Sequence, residues 1–183
     1  WICPSWLSPP EPEAVNLLLD PGLAFGTGTH PTTFQCLQWL SEQSLDGQTA
    51  IDYGCGSGIL GIAALLLGAN SVIGVDIDPQ ALLASHDNAQ RNQLDPERFP
   101  VFLPKDAQTE PTDLMLANIL AGPLAELSED LARQTKLGGR LCLSGILVGQ
   151  AESVIAAYSP WFDFDPVRQL EEWVCLTAVK KRA

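Results

Sequence analysis

Cationic side chains are scarce in this sequence, and that scarcity limits its partners. Lys and Arg total 10 against 22 Asp and Glu, which leaves a formal net charge of −12. The largest basic cluster is Lys180-Lys181-Arg182. Because proteins bind nucleic acid by neutralising phosphates with Lys and Arg, we expect no direct nucleic-acid partner, whereas a basic protein suits this charge.

Paired cysteines, long apolar runs and a leader-like segment are also missing. The longest apolar runs, such as residues 62–67, are far too short to span a bilayer, and no N-terminal stretch resembles a signal peptide. The cysteines form no C-x-x-C pair and their number is odd, which predicts reduced, mostly buried thiols in a cytoplasmic protein, with no disulfide framework and no metal site. They are Cys3, Cys36, Cys55, Cys142 and Cys175.

One stretch organises the rest of the chain: residues 51–58, Ile-Asp-Tyr-Gly-Cys-Gly-Ser-Gly. A short apolar run ends in an acid, glycines follow at positions 54, 56 and 58, and an apolar run over 59–67 comes next. This order predicts strand, tight turn and helix, the opening of a nucleotide-binding βαβ unit. The next strand, residues 71–75, ends at Asp76, where an acid can accept hydrogen bonds from both ribose hydroxyls.

Two classes of ligand fit this unit, and Asp52 favours one of them over the other. Gly56, Gly58 and Gly61 satisfy G-x-G-x-x-G, so a dinucleotide dehydrogenase is one reading. A pyrophosphate, however, favours helix N-terminal amides without a carboxylate beside them. S-adenosylmethionine (SAM) carries no phosphate and presents a cationic ammonium and sulfonium, which Asp52 would favour. Unless Asp52 only ends a strand or caps a helix, SAM is the expected ligand.

Alternation of strands and helices predicts an α/β fold: a Rossmann-like, doubly wound sheet of seven strands with a C-terminal antiparallel hairpin. Asp78 is the expected N-cap, and Pro79 the first residue, of a helix that ends near Asn92. The hairpin joins residues 162–170 to 173–179. Apart from the hairpin, the predicted strands of the sheet are residues 50–52, 71–75, 101–103, 113–117 and 140–144, and residues 16–19 are a separate strand-like run. The other predicted helices are residues 31–46, 59–67, 123–135 and 150–158.

Two segments precede the nucleotide unit. Residues 1–12 are rich in proline and are expected to be extended, as the remnant of an interdomain linker, and a start at Trp1 without Met suggests a piece of a longer protein. Residues 23–33 combine Gly and Thr with Phe25 and His30, a composition that excludes a regular helix or strand. This loop is either a plain connector or a polar lid over a ligand.

Three separated motifs together resemble one family. The loop over residues 19–33, the turn over 52–58 and the stretch over 118–123, Asn-Ile-Leu-Ala-Gly-Pro, are similar to those of the PrmA family within the class I SAM-dependent methyltransferases. The resemblance implies that Thr33, Gly54, Asp76 and Asn118 contact SAM.

The chemistry of each residue suggests a role at the site, and for some residues an alternative role stays open. Gly54 lets the backbone approach a ligand, and the Asn118 amide can orient the methionine group or the incoming amine. Asn118 could instead cap a helix, and Thr33 could be only a helix-start hydroxyl. His30 is either a catalytic or an ordinary loop histidine, and Asp106 could meet an adenine amino group.

The resemblance also implies a function. Members of the family methylate the eleventh protein of the large ribosomal subunit at lysine side-chain or N-terminal amines, and they carry a further N-terminal domain that recognises it. We therefore expect residues 13–183 to be the catalytic domain, with the recognition domain absent. The rivals are an RNA or small-molecule SAM methyltransferase and a SAM-binding module without catalysis. RNA is disfavoured because residues 118–121 lack the aromatic that stacks on a base.

Overall fold

The computed structural model describes residues 1–22 and 26–182, and strands form its centre. In chain order the strands are β1 (Ile2–Cys3), β2 (Leu17–Leu18), β3 (Thr49–Tyr53), β4 (Ser71–Val75), β5 (Val101–Phe102), β6 (Thr112–Asn118), β7 (Thr135–Leu147), β8 (Phe162–Phe164), β9 (Arg168–Leu170) and β10 (Trp173–Lys180).

Helices connect most of these strands. They are α1 (Pro31–Ser41), α2 (Ile59–Leu66), α3 (Pro79–Arg91), α4 (Ala121–Glu126), α5 (Ser128–Arg133) and α6 (Ala151–Tyr158), with single 3-10 turns at Pro96–Arg98 and Val148–Gln150.

The main sheet has the order β5-β4-β3-β6-β7-β10-β8, with β9 also paired to β10. Strands β3 to β7 run parallel, and β10 is antiparallel to β7, β8 and β9. From β3 the chain first adds strands on one side, through β4 to β5, and then returns to place β6 on the other side. The carboxyl ends of β3 and β6 therefore flank the switch point, where open α/β sheets bind ligands.

Alternation along the strands builds two hydrophobic cores. In β6, Leu114 and Leu116 face α1, α2 and α3, while Met115 and Ala117 face α4, α5 and α6. All four side chains are fully or almost fully buried. Burial on both faces explains the continuous apolar run, which is typical of a central parallel strand.

Local signals account for the helix that follows β4. The Asp78 carboxylate accepts a hydrogen bond from the Gln80 backbone amide at 2.9 Å, and Pro79 occupies the first helical position. This cap and start confirm the prediction from the sequence. Two other predicted helices differ from the structure: α1 ends at Ser41, ahead of residue 46, and the single helix predicted over 123–135 is replaced by α4 and α5, which meet at Leu127.

The outer part of the C-terminal hairpin differs from the prediction. Residues 162–170 form two short strands, β8 and β9, separated by Asp165, Pro166 and Val167. Proline has no backbone N–H and cannot donate to a strand ladder, which explains the interruption. The main path of the sheet has the predicted seven strands, and β9 is an eighth, short strand that pairs with β10.

The first residues of the chain pack against the domain. Ile2 and Cys3 pair in parallel with Leu17 and Leu18, so the predicted extended segment contains a short strand. Cys3 is buried, while Trp1 and Trp6 are 58% and 65% exposed. The division at residue 12 stays a prediction. In the described ranges we find no helix with the length and apolarity that crossing a membrane requires.

Candidate ligand site at the sheet switch point

A cavity of about 850 Å³ opens at the carboxyl ends of β3 and β6. Its volume falls within the range of small-molecule and cofactor sites, roughly 300–1,000 Å³. Apolar walls surround a few polar groups, as such sites require. The polar groups that line it include His30, Thr32, Thr33, Asp52, Asp76, Asn118 and Glu126.

The turn between β3 and α2 forms one wall. Gly54, Gly56 and Gly58 have φ of 74°, 55° and 81°, the left-handed region that favours glycine. The amides of Gly54 and Cys55 donate to the Val75 carbonyl at 2.7 and 3.0 Å, which anchors the turn to β4. Gly54 and Gly56 line the cavity.

Asp52 lies beneath this turn. Its side chain is 1% exposed, and Oδ2 accepts a hydrogen bond from the Gly61 amide in the first turn of α2 at 2.9 Å. Burial raises the pKa of Asp52 to about 7, with a smaller contribution from the negative charge of Asp76, although the Gly61 hydrogen bond opposes the shift. Asp52 therefore accepts from an amide in the first turn of α2 and also lines the cavity, and its part in ligand binding stays a prediction.

Asp76 directly follows β4 and is half-buried on the cavity wall. Oδ2 accepts from the Gly56 amide at 2.9 Å, and Oδ1 accepts from the Asp78 amide at 3.0 Å. A carboxylate has about four acceptor positions, so two remain for a ligand. The backbone thus fixes the carboxylate while leaving it able to accept a pair of hydroxyls.

Asn118 ends β6 and connects it with the start of α1. Its Nδ2 donates to the Thr33 hydroxyl at 3.2 Å and to the Thr32 hydroxyl at 3.4 Å. Leu120, and not Asn118, is the N-cap of α4, so the capping alternative for Asn118 is wrong. The buried hydroxyls of Thr32 and Thr33 therefore set the orientation of the Asn118 side chain at the cavity wall.

His30 has a defined structural task. It is the N-cap of α1: Nδ1 accepts from the Thr32 amide at 3.3 Å and lies 2.8 Å from the Thr32 hydroxyl. Its ring meets the Trp173 ring edge-on, with centroids 5.2 Å apart. Both residues line the cavity, and a catalytic part for His30 stays a prediction.

Of the described residues, two predicted site positions lie outside the cavity lining. Gly58 starts α2, and a Cβ there would lie 2.9 Å from Ser85 Oγ and 3.1 Å from a Phe99 ring carbon, so this glycine serves packing. Asp106 is in the exposed turn that follows Pro104, and only Pro104 of these two lines the cavity. A ligand role for Asp106 stays a prediction.

Part of the loop before α1 lies within the described residues. Leu23, Ala24 and Phe25 of the predicted lid fall outside the described residues. Gly26 lines the cavity, and its carbonyl accepts a hydrogen bond from the Ser57 hydroxyl at 2.7 Å. That bond fixes the end of the loop to the glycine turn.

Several lining residues escaped the sequence analysis. Ile119 fills the space between two glycines: a Cβ on Gly54 would lie 2.2 Å from Ile119 Cγ2, and one on Gly145 would lie 2.2 Å from the Ile119 carbonyl oxygen. Trp173 comes from the hairpin strand β10, far along the chain. A glycine within an apolar strand was the available signal for Gly145, since it marks a close backbone approach.

This sheet order, with its antiparallel final strand and a cavity at the switch point, defines the class I SAM-dependent methyltransferase fold. A crystal structure of ribosomal protein L11 methylase from Lactobacillus delbrueckii subsp. bulgaricus matches 99% of this chain and 94% of its own, at a TM-score of 0.88 and 32% identity. The fold predicted from the sequence is thereby confirmed.

The chain belongs to the ribosomal protein L11 methyltransferase (PrmA) family, whose profile matches residues 1–181. Proteins with that name from Cellvibrio japonicus and Saccharophagus degradans are 67% and 64% identical to it, over 100% and 99% of this chain. The chain spans 62% of the length of each of these two relatives. The predicted family is therefore confirmed.

Proposed function

We propose that this protein binds SAM in the switch-point cavity and transfers methyl groups to amines of ribosomal protein L11. The observation that carries the proposal is the joining of the glycine turn and the Asp76 carboxylate at one cavity, in a chain whose family profile matches residues 1–181. L11 is the substrate named for its relatives.

The cavity suits the chemical groups of SAM. Asp76 keeps acceptor positions for the two hydroxyls of a ribose, because the backbone amides of Gly56 and Asp78 occupy only part of its carboxylate. Ile77 and Leu120 line the cavity while 82% and 70% exposed, so an apolar or aromatic ring would cover them. Asp52 supplies negative charge beneath the glycine turn once it ionises.

When bound, SAM supplies a methyl group on a positively charged sulfur. The protein must then keep water out and hold an amine without its extra proton. A free lysine amine has a pKa of about 10.4, so it is largely protonated at neutral pH. The apolar walls disfavour the ammonium form and lower the pKa of an amine that enters. This arrangement needs no dedicated strong base.

Calorimetry and a methylation assay test the proposal. We expect SAM and S-adenosylhomocysteine to bind to the chain and NAD to give no heat. Incubation with SAM and purified L11 should add mass in steps of one methyl group, detected by intact-protein mass spectrometry, with ribosomal RNA as the alternative substrate. Binding of NAD with SAM silent would disprove the ligand assignment, and methylation of RNA alone would disprove the substrate.

A further inference from the structure

Three buried cysteines from distant parts of the chain meet in one core. Cys36 lies on α1, Cys142 on β7 and Cys175 on β10, and all three are 0% exposed. Cys142 Sγ is 3.8 Å from Cys36 Sγ and 3.6 Å from Cys175 Sγ, and the three sulfurs all lie within 4.8 Å of one another. Neither ligand binding nor methyl transfer uses them. We refer to them as the thiol cluster.

The dimensions of the thiol cluster match those of a metal–thiolate site. Sulfurs separated by 3.6 Å, 3.8 Å and at most 4.8 Å have a common centre about 2.0–2.4 Å from each, and a zinc–thiolate bond is about 2.3 Å. A soft cation at that centre would bond to all three sulfurs with little movement of the three elements.

We propose that the thiol cluster binds one soft, monovalent d10 cation, with Cu(I) as the representative ion. Thiolates are the ligands that Cu(I) favours. A structural zinc site almost always has four protein ligands, and among the described residues the group contains these three alone. The number of ligands therefore favours Cu(I) over Zn²⁺.

Binding replaces protons with sulfur–copper bonds and transfers no electron. As three S–Cu bonds form, up to three S–H protons leave, and copper stays Cu(I).

The thiol cluster lies directly behind the cavity wall. Cys36 follows Thr33 by one helical turn, and Cys175 follows Trp173 in β10. Cys142 precedes Ser144, whose hydroxyl donates to the Thr32 carbonyl at 3.0 Å. A cation here would tie α1, β7 and β10 together, so its binding should stabilise the fold.

Anaerobic competition against bicinchoninate, a Cu(I) chelator, tests the proposal on the reduced chain. Because the sulfurs are buried, Cu(I) is supplied both to the folded chain and during refolding from urea. We expect one Cu(I) per chain, near-ultraviolet thiolate-to-copper absorption and a higher melting temperature. Even the loss of an outer-shell partner weakens metal sites by about 10–100-fold, so Cys36→Ala and Cys142→Ser should each weaken Cu(I) by at least about tenfold.

Two other buried cysteines, Cys3 and Cys55, provide matched controls. Cys3→Ser and Cys55→Ser should leave Cu(I) affinity unchanged, with near-ultraviolet circular dichroism confirming that each variant is folded. The proposal fails if the chelator removes all copper from the parent chain. It also fails if folded Cys36→Ala, which keeps both strands intact, binds Cu(I) as tightly as the parent.

Discussion

Two carboxylates at the ends of neighbouring strands differ in surroundings and therefore in task. Asp52 at the end of β3 is 1% exposed and accepts from a helix amide, and burial raises its pKa to about 7. Asp76 at the end of β4 is half-buried and held by two backbone amides. Asp76 keeps acceptor positions for a ligand, whereas Asp52 is only partly ionised at neutral pH.

Replacing Asp76 by Ala should weaken SAM binding by more than tenfold. Two hydrogen bonds to a charged acceptor are lost, each contributing about 1.5–3 kcal/mol, and about 1.4 kcal/mol corresponds to a factor of ten. Isothermal titration calorimetry measures the dissociation constant. Asp78→Ala is the matched control, since Asp78 caps α3 but does not line the cavity among the described residues. A folded Asp76→Ala variant with an unchanged dissociation constant would refute the assignment.

Asp52 should make the protein less stable as the pH rises towards neutrality. The folded-state pKa of about 7 exceeds the unfolded value of 3.8, so the folded state holds more protons between these values and loses stability as pH increases. From pH 5 to 7.5 this amounts to about 2 kcal/mol.

Asp52→Asn removes this titration while keeping an acceptor for the Gly61 amide. Urea unfolding of both proteins at the two pH values measures the difference. Equal pH dependence in parent and variant would show that Asp52 does not titrate in this range.

Among single residues, those with a local signal could be predicted. Asp76 follows a strand and a glycine turn at the usual spacing, and Asp78-Pro79 is a local cap, so neighbouring sequence was enough for both. The thiol cluster could not be found this way, because its members are 106 and 33 residues apart and meet only when α1 packs on β7 and β10. Trp173 reaches the cavity for the same long-range reason.

At the scale of elements, the cavity depends on close contact between three segments: the β3–α2 turn, the residues that follow β6, and β7. Ile119, at the end of β6, lies between Gly54 of the β3–α2 turn and Gly145 of β7. A side chain on either glycine would collide with it. These contacts hold Asn118, the residue before Ile119, at the cavity wall.

Gly145→Ala should destabilise the protein and weaken SAM. Its φ is 86°, and the new Cβ would lie 2.2 Å from the Ile119 carbonyl oxygen, so both strain and a backbone collision arise. Strain of this kind costs about 1–3 kcal/mol before the collision is counted. Urea denaturation and calorimetry measure the two effects.

Gly122→Ala is the control for this change. A Cβ at Gly122, in α4, has no atom within 4 Å, and alanine in a helix is more stable than glycine by about 0.5–1 kcal/mol. We expect slightly higher stability and unchanged SAM affinity. If Gly145→Ala matches Gly122→Ala in stability and in SAM affinity, the contacts between these three segments do not position the site.

Element boundaries were predictable where a breaker residue marks them and less so elsewhere. The order of strands and helices follows from the apolar periodicity. No Gly or Pro lies at the end of α1 at Ser41 or at Leu127 between α4 and α5, so the local sequence does not mark these boundaries. Pro166 was a visible signal for the break between β8 and β9.

For the whole molecule, the acidic surface and the length of the relatives bear on substrate capture. A net charge of −12 attracts a basic protein, but salt screens such attraction beyond roughly 8–10 Å. Methyl transfer needs an amine held close to the methyl group, which a specific docking surface provides. The relatives from Cellvibrio japonicus and Saccharophagus degradans extend beyond the part that this chain matches.

We therefore predict that this chain binds SAM but methylates L11 slowly compared with a full-length relative. Both cores and the switch-point cavity are formed within the described residues, so we expect SAM to bind without a further domain. The Cellvibrio japonicus relative, 67% identical, is the comparison, and the same relative trimmed to the residues that match this chain is the matched control. Initial rates are measured with purified L11 at one saturating SAM concentration. The trimmed relative should be as slow as this chain, and the full-length relative at least about tenfold faster, since orientation alone can change rates by such factors. Equal rates for all three proteins would place L11 recognition within the residues of this chain and contradict the prediction.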